Sequence, residues 1–319
     1  MSEPEVEIAV ITALGIEYDA IRAVIDPQIK DHFDLDLFYK LGSLSGHTIA
    51  VVGPEGAGAG HVALAANHLA RRWKQLKLIL VVGICACVGK PEKGAEIFLG
   101  DVIFSKSITD YSLGKLTQGG MKFEDHCRTV ASYHSKRVNQ ILNSLSLSNF
   151  DGRDMMKRLN ENLAYQEVER PEKRYDRLFE STYHHTHRGD SLECGCHPFS
   201  GESCSSAQGA SCDQLGCSED KTEKGREVDT GVSFHVGAYA SGPNVLKNAE
   251  IRNRLAKDFN VIAIEMEGYG LWDVSTPAVM IKSACDYADS HKNNHYHKFA
   301  AATAACAAKV FVEIYLGGK

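Results

Sequence analysis

The chain has 319 residues, 44% of them hydrophobic, and a formal net charge of -6 from 35 Lys+Arg against 41 Asp+Glu. That length is enough for one large core, and the mild acidity excludes the basic field that binding to nucleic acid or an anionic membrane would use. The apolar run around Leu76–Val88 is broken by Lys77 and Gly83 and is too short to span a bilayer. The opening MSEPEVEIAV lacks a basic segment followed by an apolar one, so the expectation is a cytoplasmic protein.

In chain order, Val6–Thr12 reads as a short β-branched strand, and Ile16–Ile25 as a helix with Ile16, Ala20, Ala23 and Val24 at helical spacing. Leu35–Gly53 carries two strand signals around a Gly/Ser turn, and His61–Trp73 reads as a helix. Leu76–Val82 and Asp101–Ser105 read as buried strands, and Met155–Val168 as a helix. The alternation resumes with a strand at Val232–Tyr239, a helix at Val245–Phe259 and strands at Val261–Glu265 and Ala278–Ser283. An alanine-rich helix over Tyr296–Tyr315 closes it. Continuous apolar strands interleaved with helices predict an α/β protein: a single-domain three-layer fold over 1–319, with a twisted mixed β-sheet flanked by helices. Between the halves, Asp151–Asp229 turns charged and then His/Cys/Gly/Ser-rich, and about 184–229 is expected to be a flexible Cys/His-rich insertion.

Three acidic sites could carry chemistry. Glu265-Met266-Glu267 stands where a buried strand gives way to a Gly-containing stretch. A carboxylate there can merely cap or pair, or it can accept hydrogen bonds from a diol such as a ribose 2′/3′ pair. Asp286 directly follows a buried strand, at the sheet edge where α/β proteins place ligands, although Asp286 and Asp289 could equally cap the next helix. Glu17 follows the first strand, and the helix dipole alone would favour it there. The combination is more specific than its parts. Cleavage of an N-glycosidic bond needs an acid at the departing base, a carboxylate that activates water, and a group on the sugar hydroxyls.

With these residues in view, the chain resembles the nucleoside phosphorylase/nucleosidase family, which holds purine and uridine phosphorylases and methylthioadenosine/S-adenosylhomocysteine nucleosidases. The motifs are VITALGIE (10–17), EGAGAGHVALAANHL (55–69), VVGICACVGKPEKGAEIFLGDVI (81–103), GAYASG (237–242), AIEMEG (263–268) and KSACDYADSHKNNHYHKFAAATAA (282–305). The last is most similar to fungal members, where such domains occur alone or attached to signalling ATPase modules. The resemblance implies catalytic roles for Asp286 at the purine N7, Glu17 as the water-activating base and Glu267 on the ribose hydroxyls. It implies substrate contacts from Met266, Glu265, Ile84, Cys85, Cys285 and Val245. Val245 stands where many members place a base-stacking aromatic, and Cys285 where a small polar residue is usual. The partners implied are a small-molecule nucleoside and a second copy of the chain, a dimer being favoured, with no cofactor.

The two branches of that family differ in their nucleophile. Phosphate needs cations and backbone donors. Hexameric phosphorylases place an arginine where this chain has Val81, and their early glycine loop supplies another, whereas Gly15 here is followed by Ile16, Glu17, Tyr18 and Asp19. Carboxylates in that loop repel phosphate, so water is the expected nucleophile and phosphorolysis the alternative. A non-catalytic nucleoside-binding sensor or effector module is the second alternative.

Other features carry less. The GxGxG of Gly56–Gly60 lacks the third glycine and the ribose acid of a dinucleotide site and reads as a tight turn. In the insertion, Cys194–Cys196 is a CxC, and Cys212 and Cys217 are spaced more widely than a zinc knuckle. Free thiols are the expectation there and no metal is assigned, structural zinc and a disulfide being the alternatives. Of His291, His295 and His297, one is left open as a substrate contact.

Overall fold

The computed structural model describes residues 5–317 apart from 34–36, 45, 55, 57, 113, 118–119, 124–128, 132–134, 147–149, 165–166, 189–193, 195, 197–202, 224–230 and 272–273. At 26–33, 114, 116–117, 120–123, 129–131, 146 and 150–153 it gives the backbone alone.

The strands are β1 (Ile8–Ile11), β2 (Asp26–Phe33), β3 (Phe38–Leu44), β4 (His47–Val52), β5 (Leu78–Cys87), β6 (Val102–Asp110), β7 (Gly114–Thr117), β8 (Gly120–Phe123), β9 (Thr129–Ala131), β10 (Phe234–Ser241), β11 (Val261–Glu265) and β12 (Ala278–Asp286). The helices are α1 (Gly15–Val24), α2 (Ala59–Arg72), α3 (Lys136–Ser146), α4 (Phe150–Ala164), α5 (Ser205–Gly209), α6 (Ala249–Phe259) and α7 (His297–Leu316). Short 3-10 turns lie at Lys173–Tyr175, Glu219–Lys221 and Gly268–Leu271.

The main sheet runs β11-β10-β6-β12-β5-β1-β4-β3-β2, with β9 attached to β6. Its centre is parallel, since β5 pairs in parallel with both β1 and β12. It is mixed because β12 runs antiparallel to β6, and β3 to both β2 and β4. β11 curls back to pair with the end of β5, Ile264 opposite Ala86, so β5, β12, β6, β10 and β11 close into a ring. This mixed sheet flanked by helices is the α/β architecture that the periodicity predicts. Every residue of β5 and β12 is buried, which is why both read as mainly apolar stretches rather than alternating ones.

Helix α7 is long and apolar enough by composition to cross a membrane, yet it lies inside the fold, with Phe299–Ala308 and Val310–Val312 all buried. Its run of alanines lets it approach the sheet closely, and it packs on β5 and β12 while α1 and α4 lie against it. The edge strand β2 and the hairpin of β7 and β8 are not signalled by the sequence. β2 is DPQIKDHF, which neither alternates nor forms an apolar run.

Part of the expected flexible insertion has defined local structure. Phe179 bridges to Thr222, and Phe179, Cys196, Ala207, Leu215 and Cys217 form a small buried cluster separate from the main core.

Candidate active site

Four strand ends meet at one cleft. The loop after β1 brings Leu14 and Glu17, the end of β5 brings Ile84, Cys85 and Ala86, the end of β11 brings Glu265–Glu267, and the end of β12 brings Cys285 and Asp286. A cavity of about 240 Å³ lies among them, also lined by Asn244, Val245, Leu246, Ile264, Lys292 and His297. All nine residues singled out from the sequence (Glu17, Ile84, Cys85, Val245, Glu265, Met266, Glu267, Cys285 and Asp286) line this one cleft.

Glu17 is 2% exposed. Its carboxylate accepts N–H bonds from Ala13 and Leu14 at 2.9 Å and from Ile84 at 2.7 Å. The first two lie at the start of its own helix, where the dipole also favours a carboxylate; the third crosses to β5. Burial pushes its pKa above the ordinary carboxylate value, against the pull of Lys282 and the backbone donors. The seat exists only because position 83 is glycine: a Cβ there would lie 1.9 Å from Glu17 Oε1.

Glu265 and Glu267 sit on one turn but in different settings. The Glu265 carboxylate accepts the N–H groups of Glu267 at 2.8 Å and Gly268 at 3.0 Å, so it ties down the turn that presents Met266 and Glu267. Burial, with the neighbouring Glu267 charge, pushes its carboxyl up to about 7. Burial acts on Glu267 too, but Lys282 holds that carboxyl below the ordinary range. Glu267 Oε2 takes a hydrogen bond from Lys282 Nζ at 2.8 Å, and Oε1 takes the Gly58 N–H at 3.3 Å. Gly58 has a φ of +116°, a conformation open to glycine, so the GxGxG turn serves the acid of a distant strand.

A register shift between Ala284 and Asp286 marks the end of β12 and helps aim Asp286 at the cleft. Asp286 Oδ1 accepts the Ala288 N–H at 2.8 Å, and Oδ2 accepts the Cys285 thiol at 3.2 Å and the ammonium of Lys292. The loop behind it is pinned: Arg252 donates to Tyr287 O at 2.8 Å and lies 3.9 Å from Asp289, and the Tyr287 hydroxyl donates to Asp176. Burial pushes the thiols of Cys85 and Cys285 well above the ordinary range, so both stay protonated.

Sequence reasoning gives no role to two lysines that bear on the cleft, and leaves a third group, the histidines, undecided. Lys282 is 1% exposed, yet burial does not strip its proton, because Glu267, Glu17 and Glu265 hold its pKa up. A lysine inside an otherwise apolar strand is the signal that could have found it, since such a charge needs buried acids. Lys292 pairs with Asp286 through a loop that spacing alone does not fold back. Among the three histidines left open, His297 is the one that lines the cleft, its Nε2 buried and without a hydrogen-bond partner among the described residues. Val245 is 58% exposed, and Leu14, at 37%, is the other exposed apolar residue of the cleft lining.

No family model matches the chain. It is 27% identical over 311 residues to a nucleotide-binding leucine-rich repeat (NLR)-like protein of Hyaloscypha variabilis; the match covers 95% of this chain and spans only 28% of that relative's length. Among solved structures, it is similar to the 5′-methylthioadenosine/S-adenosylhomocysteine nucleosidase of Neisseria meningitidis in complex with methylthio-immucillin-A. There the TM-score is 0.57 at 17% identity, covering 96% of this chain and 98% of that one. The futalosine hydrolase of Helicobacter pylori gives a TM-score of 0.58 at 12% identity, covering 97% of each chain. The Streptococcus pneumoniae methylthioadenosine/S-adenosylhomocysteine nucleosidase in complex with 8-aminoadenine gives 0.58 at 15% identity, covering 96% and 99%. The chain has the nucleoside phosphorylase/nucleosidase fold.

Proposed function

We propose that the protein hydrolyses the N-glycosidic bond of a purine ribonucleoside, adenosine or a 5′-modified adenosine first, giving free base and ribose. The observation that carries this reading is the gathering of Glu17, Glu267 and Asp286 on one cleft of nucleoside size. Glu267, charged and fixed by Lys282, accepts the ribose hydroxyls while Met266 packs on the sugar. Asp286 shares a proton with the purine N7, and Lys292 beside it stabilises the negative charge that builds on the departing base. Glu17, its pKa raised by burial, is the base that takes the proton of the attacking water.

Water rather than phosphate is supported by how the anion-binding groups are already used. The Ala13, Leu14 and Ile84 N–H groups, which could cradle a phosphate, are turned on the Glu17 carboxylate. Val81 is buried in β5, no arginine is among the described residues that line the cleft, and Lys292 in the lining and the buried Lys282 are each paired with an acid.

A second reading is a nucleoside-binding sensor module, favoured by one observation: the Hyaloscypha relative is much longer and NLR-like. Incubation with adenosine, methylthioadenosine, inosine and guanosine separates the two. The enzymatic reading expects repeated release of free base from at least one of them; saturable binding without product would replace it with the sensor.

A further inference from the structure

We propose that the Cys/His segment holds two zinc ions, one of which ties it to the loop that carries Asp286. The first site is His185, Cys212, Cys217 and His291, and the second is His187, Cys194, Cys196 and Cys204. In each set the four donor atoms all lie within 4.8 Å of one another.

The donor spacings fit tetrahedral zinc coordination. Zinc bound at about 2.3 Å to sulfur and about 2.05 Å to nitrogen places tetrahedral N–N edges near ~3.3 Å and N–S edges near ~3.5 Å. In the first set, His185 Nδ1 and His291 Nδ1 are 3.3 Å apart, Cys212 Sγ is 3.5 Å from His291 Nδ1 and 3.8 Å from His185 Nδ1, and Cys217 Sγ is 3.6 Å from His185 Nδ1. In the second, His187 Nδ1 is 3.4 Å from Cys194 Sγ and 3.5 Å from both Cys196 Sγ and Cys204 Sγ.

Tautomers decide between a metal site and a set of hydrogen bonds. His185 Nε2 lies 2.9 Å from Ala210 O, and His291 Nε2 lies 3.0 Å from Tyr183 O. A carbonyl only accepts, so both Nε2 atoms carry the proton and, in the neutral rings, both Nδ1 atoms present lone pairs. Two lone pairs facing each other at 3.3 Å repel unless a cation lies between them. Backbone carbonyls behind the ligating rings are also the usual outer support of zinc-bound histidine. The second set argues the same way, because one ring nitrogen cannot accept three thiol protons at once. Two thiolates with two imidazoles, and three thiolates with one imidazole, suit zinc at these spacings, and binding releases the thiol protons to solvent.

The first site has a reach that spacing within the insertion hides, since its fourth ligand comes from the acid loop. His291 stacks on Phe179 with ring centroids 3.8 Å apart, its N–H is held by Asp289, and Lys292, the partner of Asp286, follows it directly. Zinc here clamps the insertion onto the strand end that presents Asp286. This inference stands whether or not the nucleosidase reading holds.

The test is zinc counting by atomic emission on the full chain, expressed with zinc and then dialysed. Two zinc per chain are expected, falling to one in Cys212→Ser/Cys217→Ser and to one in Cys194→Ser/Cys196→Ser. Should a variant fail to fold, titration of the wild-type thiols with a mercurial, with released zinc read by a chromogenic chelator, reports the same sites. No retained zinc, with all of these thiols free to react, would overturn the proposal; so would a denatured, unreduced mass lighter by two hydrogens for each pair, which marks disulfides. One zinc, lost only in the Cys212/Cys217 variant, would overturn the second site.

Discussion

Lys282 Nζ lies 2.8 Å from Glu267 Oε2 and 4.0 Å from Glu17 Oε1, with all three side chains buried, so one cation holds two of the acids that face the cleft. Glu267 comes from the turn after β11 and Glu17 from the first turn of α1. The lysine therefore fixes the separation of the proposed sugar-binding and water-activating groups.

Replacing Lys282 with Met leaves Glu267 buried without its cation. Removing one partner of a buried ion pair costs about 3–5 kcal/mol, so urea unfolding of Lys282→Met should show a loss of that order. Loss of less than about 1 kcal/mol, the range of a surface pair, would remove Lys282 from this role.

Gly83→Ala puts a methyl group where Glu17 Oε1 now sits, at 1.9 Å. Glu17 must leave its seat, and turnover should fall by about 10²–10⁴-fold, the range expected for loss of a general base. The check is single-substrate kinetics on Gly83→Ala beside Glu17→Gln; full activity in the alanine variant would show that the seat of Glu17 does not matter.

Much of this site is legible in the sequence because catalytic acids at strand ends leave a local trace: an apolar run, then a carboxylate, as at Ile264-Glu265, Cys285-Asp286 and the Val10–Glu17 stretch. The strands themselves are equally legible where burial is continuous, as in β5 and β12. The cations are not legible in that way. Lys282 and Lys292 gain meaning only when β11 curls back onto the end of β5, next to β12, and the acid loop folds back. The second role of Gly58 is hidden for the same reason, since Glu267 is distant in the chain; the polar strand β2 is hidden because DPQIKDHF neither alternates nor forms an apolar run, although it pairs with the adjacent β3.

The pH dependence of the rate should carry an acid limb from Glu17. As a base it works ionised, and burial raises its pKa above 4.5, so kcat/KM should fall as pH drops through that raised value. Glu17→Gln should lose the limb. An acid limb unchanged in that variant would assign it to another group.

Glu265 offers a stability test. Its folded pKa of about 7 stands above the ordinary 4.5 of the unfolded chain, so between those values the folded state binds more protons. Stability should then decline as pH rises through that window, and Glu265→Gln should remove this share of the decline. Urea midpoints of both proteins measured across that range should converge at the acid end and separate toward neutral pH. Parallel curves would contradict the assignment.

The central claim is hydrolysis, and the most direct measurement is purine release from the best nucleoside substrate in phosphate-free buffer and again with phosphate, identifying the sugar product. Equal release in both buffers with free ribose (or its 5′-modified form) is the predicted result. Release only with phosphate, giving the sugar 1-phosphate, would contradict it and show that the Ile84 and Leu14 N–H groups turn from Glu17 to an incoming anion.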